Sequence, residues 1–322
     1  MRRRKFIGLV GTAAVAWPFI AHAQSAEGKI ARIGIIDDSP SWDPFRQQLR
    51  ELHYVEGQNI AYVSLHTNGS PDQLDAAAAA LAQVPVNVIA AFGTPHAQAA
   101  QRATKTIPIV AISISDPIAA GLVTSLAHPV GNITGNTILG LGIVTKKLQV
   151  LKDVIPTVAR IAYLWNPDNS ATAAILEEVR KAAPLFHMTL VSLEARTAVD
   201  FDRAFAKMAS DRPDAVLATS DPVHLAQMPA IIEFLLQNRI AGLFQTRENV
   251  VAGGLMSYGV SLADLFQMGA LYTDKILRGT KPEDLPIAQP VAFEFVINLK
   301  TAKAIGLEIP TRVIARADEV IE

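Results

Sequence analysis

The sequence contains no cysteine. That absence excludes a disulfide framework, a thiolate-held metal centre, a thiol nucleophile and a lipid anchor on an amino-terminal cysteine. Charged residues are scarce at 18% and aromatics at 6%, against 50% apolar residues, a balance far from that of a disordered chain. Phosphate-binding signatures are missing too. The first β-branched run ends in Asp37-Asp38-Ser39-Pro40, where two acids would repel a pyrophosphate, and Gly140-Leu141-Gly142 lacks a third glycine. No P-loop, no G-x-S-x-G elbow and no H-x-H or H-E-x-x-H spacing occurs. These gaps argue against nucleotide enzymes, serine hydrolases and zinc peptidases. No cofactor, metal ligand or catalytic residue is expected.

Long apolar runs are also lacking, with one exception. Phe6–Ile20 follows the basic start Arg2-Arg3-Arg4-Lys5 and leads into Ala21-His22-Ala23, an A-x-A cleavage pattern. The run is too short to span a bilayer and Pro18 interrupts it. Residues 1–23 therefore read as an export signal cleaved after Ala23, and Arg3-Arg4-Lys5-Phe6-Ile7 fits the twin-arginine pattern. The leader holds four of the 29 basic residues and none of the 30 acidic ones, leaving 25 against 30 and a net charge of −5. With no basic stripe, no nucleic-acid partner is expected. The expected location is the periplasm, with membrane contact only through a partner.

What the sequence does have is alternation. At about 150 residues per domain, 322 residues suggest two domains. Strands are predicted at 31–37, 59–65, 86–92 and 107–114, with helices at 43–52, 71–83 and 95–104 between them. This βαβα order implies a parallel sheet with helices on both faces. The second half repeats the first. Ala31-Arg32-Ile33 recurs as Ala159-Arg160-Ile161 and Val63-Ser64-Leu65 as Val191-Ser192-Leu193, both shifted by 128, and Pro85–Val88 aligns with Pro213–Val216 at that shift. The fold class is thus α/β, two doubly wound parallel-sheet lobes joined by a hinge, with a ligand cleft between them.

The shift also pairs loops at the carboxyl ends of equivalent strands. Asp38-Ser39-Pro40 corresponds to Asn166-Pro167-Asp168, and Gly93-Thr94 to Asp221-Pro222. Thr94, Ser115-Asp116, Asn169 and Ser220-Asp221 each stand where a helix is expected to begin, three of them before a proline. Free N–H groups there suit a carboxylate, and Thr94 is expected to cap the helix opening at Pro95 with its hydroxyl toward the cleft. Trp42 and Tyr258 could stack on an aromatic ligand, whereas Trp165 reads as core. Asn136 and Gln245 complete the candidate ligand contacts. His96 and His224 occupy equivalent positions and read as first-turn helix residues rather than ligands of a solute or metal.

Four stretches carry a resemblance: Gly93–Val110 (GTPHAQAAQRATKTIPIV), Ser113–Thr137 (SISDPIAAGLVTSLAHPVGNITGNT), Gly253–Gly259 (GGLMSYG) and Val296–Glu322. They resemble the ABC-transporter substrate-binding family that includes tryptophan- and tyrosine-type uptake proteins, and the likeness covers nearly the whole chain after the leader. Val130, His53-Tyr54 and Ser64-Leu65-His66 depart from its usual glycine, Gly-Trp and Arg-Trp. The resemblance implies a type I periplasmic-binding-protein fold, no catalysis, and a monomer that delivers a solute to a permease driven by a separate ATPase. It places lobe one at 28–138 plus 262–290 and lobe two at 139–261 plus 291–322, with hinge crossings near Asn136-Thr137, Ser257–Ser261 and Pro290. The expected solute is small and carboxylate-bearing, and an aromatic body is compatible. Two other readings use the same cleft. One is an enzyme acting on a small acid, with Asp116, Asp168 and Asp221 as acid or base; the other is a sensor docking on a receptor kinase.

Overall fold

Six-residue runs that are apolar along their length bury both faces, which suits the middle of a parallel sheet covered by helices. β1 (Ala31–Ile36) is such a run, fully buried from Ile33 onward. The computed structural model describes residues 30–67, 71–138, 142–219, 221–290 and 292–322, so the proposed leader and its cleavage site lie outside the described residues. After β1 come α1 (Asp43–Glu51), β2 (Ile60–Leu65), α2 (Pro71–Gln83), β3 (Val88–Phe92), α3 (Thr94–Ala103), β4 (Ile109–Ile114) and β5 (Ile133–Thr137). The predicted strands and helices match these to within two residues at each end. The strands form a sheet in the order β2-β1-β3-β4-β5, every pair parallel.

A second sheet follows. Its elements are α4 (Ile143–Val154), β6 (Arg160–Trp165), α5 (Ser170–Ala182), β7 (Thr189–Glu194), α6 (Ala198–Asp211), β8 (Ala215–Ala218), α7 (Pro222–Ala226), α8 (Met228–Gln237), β9 (Ala241–Phe244), α9 (Arg247–Val251) and β10 (Met256–Gly259). After α10 (Leu262–Leu277) the chain returns as β11 (Glu294–Asn298), α11 (Leu299–Ile305), α12 (Thr311–Ile314) and β12 (Glu319–Ile321). The order is β12-β11-β10-β9-β8-β6-β7. One part of the expectation needs correcting, because this sheet is not wholly parallel: β11 runs antiparallel to β10. The chain reaches β11 after a return through the first sheet's lobe and so enters that strand from the opposite end.

α10 accounts for the return. Its Phe266 and Ala270 pack with Phe45, Val110 and Ile112 of the first lobe, and Gly269 lets it lie close to β4, where an added Cβ would stand 2.5 Å from Ile112 Cδ1. The segment after α10 stays on the first lobe. The Thr134 hydroxyl donates to the Leu285 carbonyl, and Ala288 exchanges backbone hydrogen bonds with Gly135 and Thr137. The chain therefore passes between the sheets after β5, after β10 and before β11.

The internal repeat is visible in the pairing register. Arg32 pairs with Ala61, and Arg160 with Thr189, each 128 further on. At the third strand the shift becomes 127, since Ile33 pairs with Val88 and Ile161 with Ala215. The Asn87 side chain accepts the Arg32 N–H, and the Asp214 side chain accepts the Arg160 N–H, both at 2.8 Å. Asn87 thus corresponds to Asp214, one residue away from the match read in the sequence.

Candidate ligand-binding cleft

Strand order reverses between β1 and β3 in one sheet and between β6 and β8 in the other, and ligand crevices of doubly wound sheets open at the carboxyl ends of such strands. The loops after β3 and β8 meet across the lobes. Gly93 has φ +84, and a Cβ built on it would stand 3.4 Å from Pro222 Cγ, so this is a closed arrangement. A cleft of about 840 Å³, including the solvent at its mouth, lies between the lobes. Ser113, Ser115, Ile138, Leu262 and Leu265 line it on one side, and Lys147, Tyr163, Ile175, Glu178, Leu217, Gln245 and Thr246 on the other.

On the first lobe, most of the predicted contacts are engaged by the protein itself. Asp37 adopts a left-handed backbone, φ 57. Its carboxylate accepts the Thr67 N–H at 2.6 Å, the Thr67 hydroxyl at 2.5 Å and the His96 Nε2–H at 2.9 Å. Burial pushes its carboxyl up, but the His96 and Thr67 hydrogen bonds outweigh that and hold it at about 2. Asp38 pairs with the Arg46 guanidinium and accepts the Ser64 hydroxyl at 3.0 Å. Burial raises its carboxyl and these partners more than reverse the effect. Ser39 is exposed. Trp42 is 1% exposed and packs edge-on against Phe45 and Phe266, in the core.

The cap expected at Thr94 is a correction. Gly93 is the N-cap of α3, and the Thr94 hydroxyl, inside the first turn, accepts the Ser115 N–H at 3.4 Å. No helix follows Asp116 either; Pro117–Gly121 is a turn whose Ile118 and Ala119 N–H groups the Asp116 carboxylate accepts. Asn136 is buried, accepting the Ser113 N–H and donating to the Leu265 carbonyl, so both ends of its amide are occupied. It holds Ser113 at φ 63, a backbone that a serine in a strand adopts only under constraint. Ser113 and Ser115 both reach the cleft.

On the second lobe, Asn169 and Asp221 are side-chain caps, of α5 and α7. Asp221 is 3% exposed and accepts the amides of Asn166 at 3.2 Å and Asn169 at 2.8 Å, together with the Val223 N–H. Asp168 is exposed and pairs with Arg196 at 3.3 Å. Asp116, Asp168 and Asp221 are thus each engaged elsewhere, and no acid–base trio assembles. Ser220 lies outside the described residues. Gln245 lines the cleft; Tyr258 stacks on Phe293 at 6.1 Å. Trp165 is buried, its Nε1–H donating to Ser192 at 2.8 Å.

The paired histidines are internal. His224 accepts the Thr219 hydroxyl on Nδ1 and donates from Nε2 to the Ala195 carbonyl, and burial lowers its pKa against the pull of Asp221 and that carbonyl. His96 bonds Asp37, and its Nδ1 has no partner among the described residues. The repeat explains the difference: at the shift of 127 set by the third strands, Thr219 corresponds to Phe92, which has no hydroxyl to offer.

Of the residues that line the cleft, Ser115 and Gln245 were among the predicted contacts and the rest were not, the two charged ones included. Lys147 sits on the buried stripe Val144, Leu148, Leu151 of α4, and Glu178 beside Leu176 and Val179 on α5. A charge on an apolar stripe was the available signal. Burial lowers the Lys147 ammonium to about 8, and burial together with Asp116 raises the Glu178 carboxyl. Among the described residues no group of three His, Asp or Glu could hold a metal ion, and no helix is long and apolar enough to cross a membrane.

The sequence matches the ABC transporter substrate binding protein family over residues 40–321. A tyrosine-binding protein of Clostridioides difficile (strain R20291) is 25% identical over 286 residues, spanning 87% of this chain and 82% of that protein. Among solved structures, a conserved domain protein from Vibrio cholerae is 27% identical, with a TM-score of 0.84 over 91% of this chain and 100% of its own. The ABC domain of Streptococcus pneumonia in complex with L-Trp is 24% identical, with a TM-score of 0.83 over 90% of this chain and 99% of that one.

Proposed function

The chain belongs to the ABC transporter substrate-binding protein family, and from that premise we propose that it captures an aromatic amino acid between its lobes and hands it to a permease driven by a separate ATPase. Members of the family bind solutes and are not enzymes. The observation that carries the reading is the cleft itself, walled by both lobes and mostly apolar, with Ser113, Ser115, Gln245 and Thr246 as its neutral polar groups. An apolar body with a few convergent polar groups is what a small-molecule site needs. The aromatic preference rests on the tyrosine named for one relative and the L-Trp bound in another.

In this proposal Ser115 and Gln245 touch the solute, while Asn136, Asn166, Asn169 and Asp221 hold the loops that shape the site. The protein is exported, its leader cleaved after Ala23, and works in the periplasm as a monomer. The moving bodies are residues 28–138 with 262–290, and 139–261 with 291–322. Thermal denaturation with tyrosine, tryptophan and phenylalanine tests the reading. A bound amino acid at 100 times its dissociation constant adds about 2.7 kcal/mol of stability. No shift and no calorimetric heat with any of the three rejects the aromatic assignment.

A further inference from the structure

Lys147 and Glu178 are the charged side chains among the described residues that line the cleft. Among the described residues neither makes a hydrogen bond or an ion pair, although fourteen ion pairs form elsewhere among them. They do not neutralise each other. Burial alone acts on Lys147, and the charged neighbours of Glu178 are Asp116 and Lys181. Asp116 comes from the other lobe, so closure brings two carboxylates toward each other, opposed by the exposed Lys181 three residues on from Glu178. A half-buried charge in apolar surroundings with no bonded counter-ion is costly, and here two of opposite sign line one cavity.

We propose that Lys147 and Glu178 are the counter-ions of the solute, Lys147 for a carboxylate and Glu178 for an ammonium, and that the cleft therefore selects a zwitterion over either singly charged half of the same molecule. The inference rests on the reading that the cleft holds the solute, and it assigns the chemistry of that site. A monocarboxylate would leave Glu178 facing Asp116 with Lys181 alone to offset them; an amine would leave Lys147 without a counter-ion. The ammonium would lie where the lobes meet, offsetting the repulsion between Glu178 and Asp116 as they close.

The test is calorimetry of the mature chain and of its Lys147→Met and Glu178→Gln variants. The probes are tyrosine, tyramine and 3-(4-hydroxyphenyl)propionate, or the corresponding amine and acid of whichever common amino acid binds best. Lys147→Met weakens the amino acid about 10- to 150-fold and leaves the amine unchanged; Glu178→Gln weakens the amino acid by a similar factor and leaves the acid unchanged. Both variants fold by circular dichroism, and Lys147→Met melts higher than wild type, because a half-buried charge without a counter-ion has gone; a residue kept for structure would melt lower. Equal losses for the amino acid and its half-molecule, or no loss, overturn the inference while the solute-binding reading stands. If no common amino acid binds wild type, both fall.

Discussion

Asp37 concentrates in one side chain much of what the first lobe asks of its residues. The left-handed backbone suits Asp better than a β-branched residue, and the carboxylate organises Thr67 and His96 around the end of β1. Its folded pKa of about 2 lies below the ordinary 3.8, so the unfolded state binds the proton more tightly. The stabilisation is therefore complete above about pH 4 and is lost as pH falls from there through 2. A shift of that size corresponds to about 2 kcal/mol. In urea titrations, Asp37→Asn should cost about that much at pH 7 and progressively less between pH 4 and pH 2. A pH-independent difference would show that the carboxylate's charge is not what matters. Thr94 illustrates the opposite case. Its hydroxyl accepts one long hydrogen bond and caps nothing, so the full loss expected of an N-cap deletion does not apply to it.

At the scale of elements, α10 is the piece most dependent on a single small residue. Gly269 stands in the middle of a 16-residue helix, where alanine would gain about 1 kcal/mol of helix propensity. Against that gain, the new methyl would stand 2.5 Å from Ile112 Cδ1 and 2.7 Å from its Cγ1, and overpacking of this kind costs about 1–3 kcal/mol. The clash wins. Gly269→Ala should be destabilising by about 1 kcal/mol, and Ile112→Val in the same chain should recover part of it by removing the nearer atom. Strict additivity of the two substitutions in chemical denaturation would mean that helix and strand do not meet as described. Capping was legible at Asn169 and Asp221, because those side chains reach N–H groups two residues on in sequence. It was misread at Thr94, because Gly93 takes the cap and the hydroxyl turns to Ser115, 21 residues away.

For the whole molecule, the telling approach is between Gly93 and Pro222, on the loops that follow the equivalent strands β3 and β8. A side chain at Gly93 meets two penalties, a positive φ that L residues resist and a proline 3.4 Å away. Gly93→Val should hold the lobes apart. In small-angle scattering, wild type should contract on adding the solute that calorimetry identifies, whereas Gly93→Val should keep its larger radius and bind more weakly. Adding Pro222→Ala should restore part of the contraction. Unimpaired contraction of Gly93→Val would show that this contact does not belong to closure.

The sequence by itself determined the α/β alternation, the two-lobed repeat and the strands of the first sheet, because each is written in local periodicity: β-branched runs, alanine-rich helices and a shift of 128 that reproduces the β1–β2 pairing in β6–β7. Position at a strand's carboxyl end also put Ser115 at the cleft wall, and Gln245 lies there at the corresponding end of β9. Tertiary structure alone decided the rest. It turned Trp42 into core, enclosed Asn136 and Asp221 in hydrogen bonds from distant segments, reversed β11 and set Lys147 and Glu178 into one cleft. Whether a polar side chain faces the solute or its own protein depends on which partners arrive from elsewhere in the chain, and the free energy of burying it is set by those partners rather than by its neighbours in sequence.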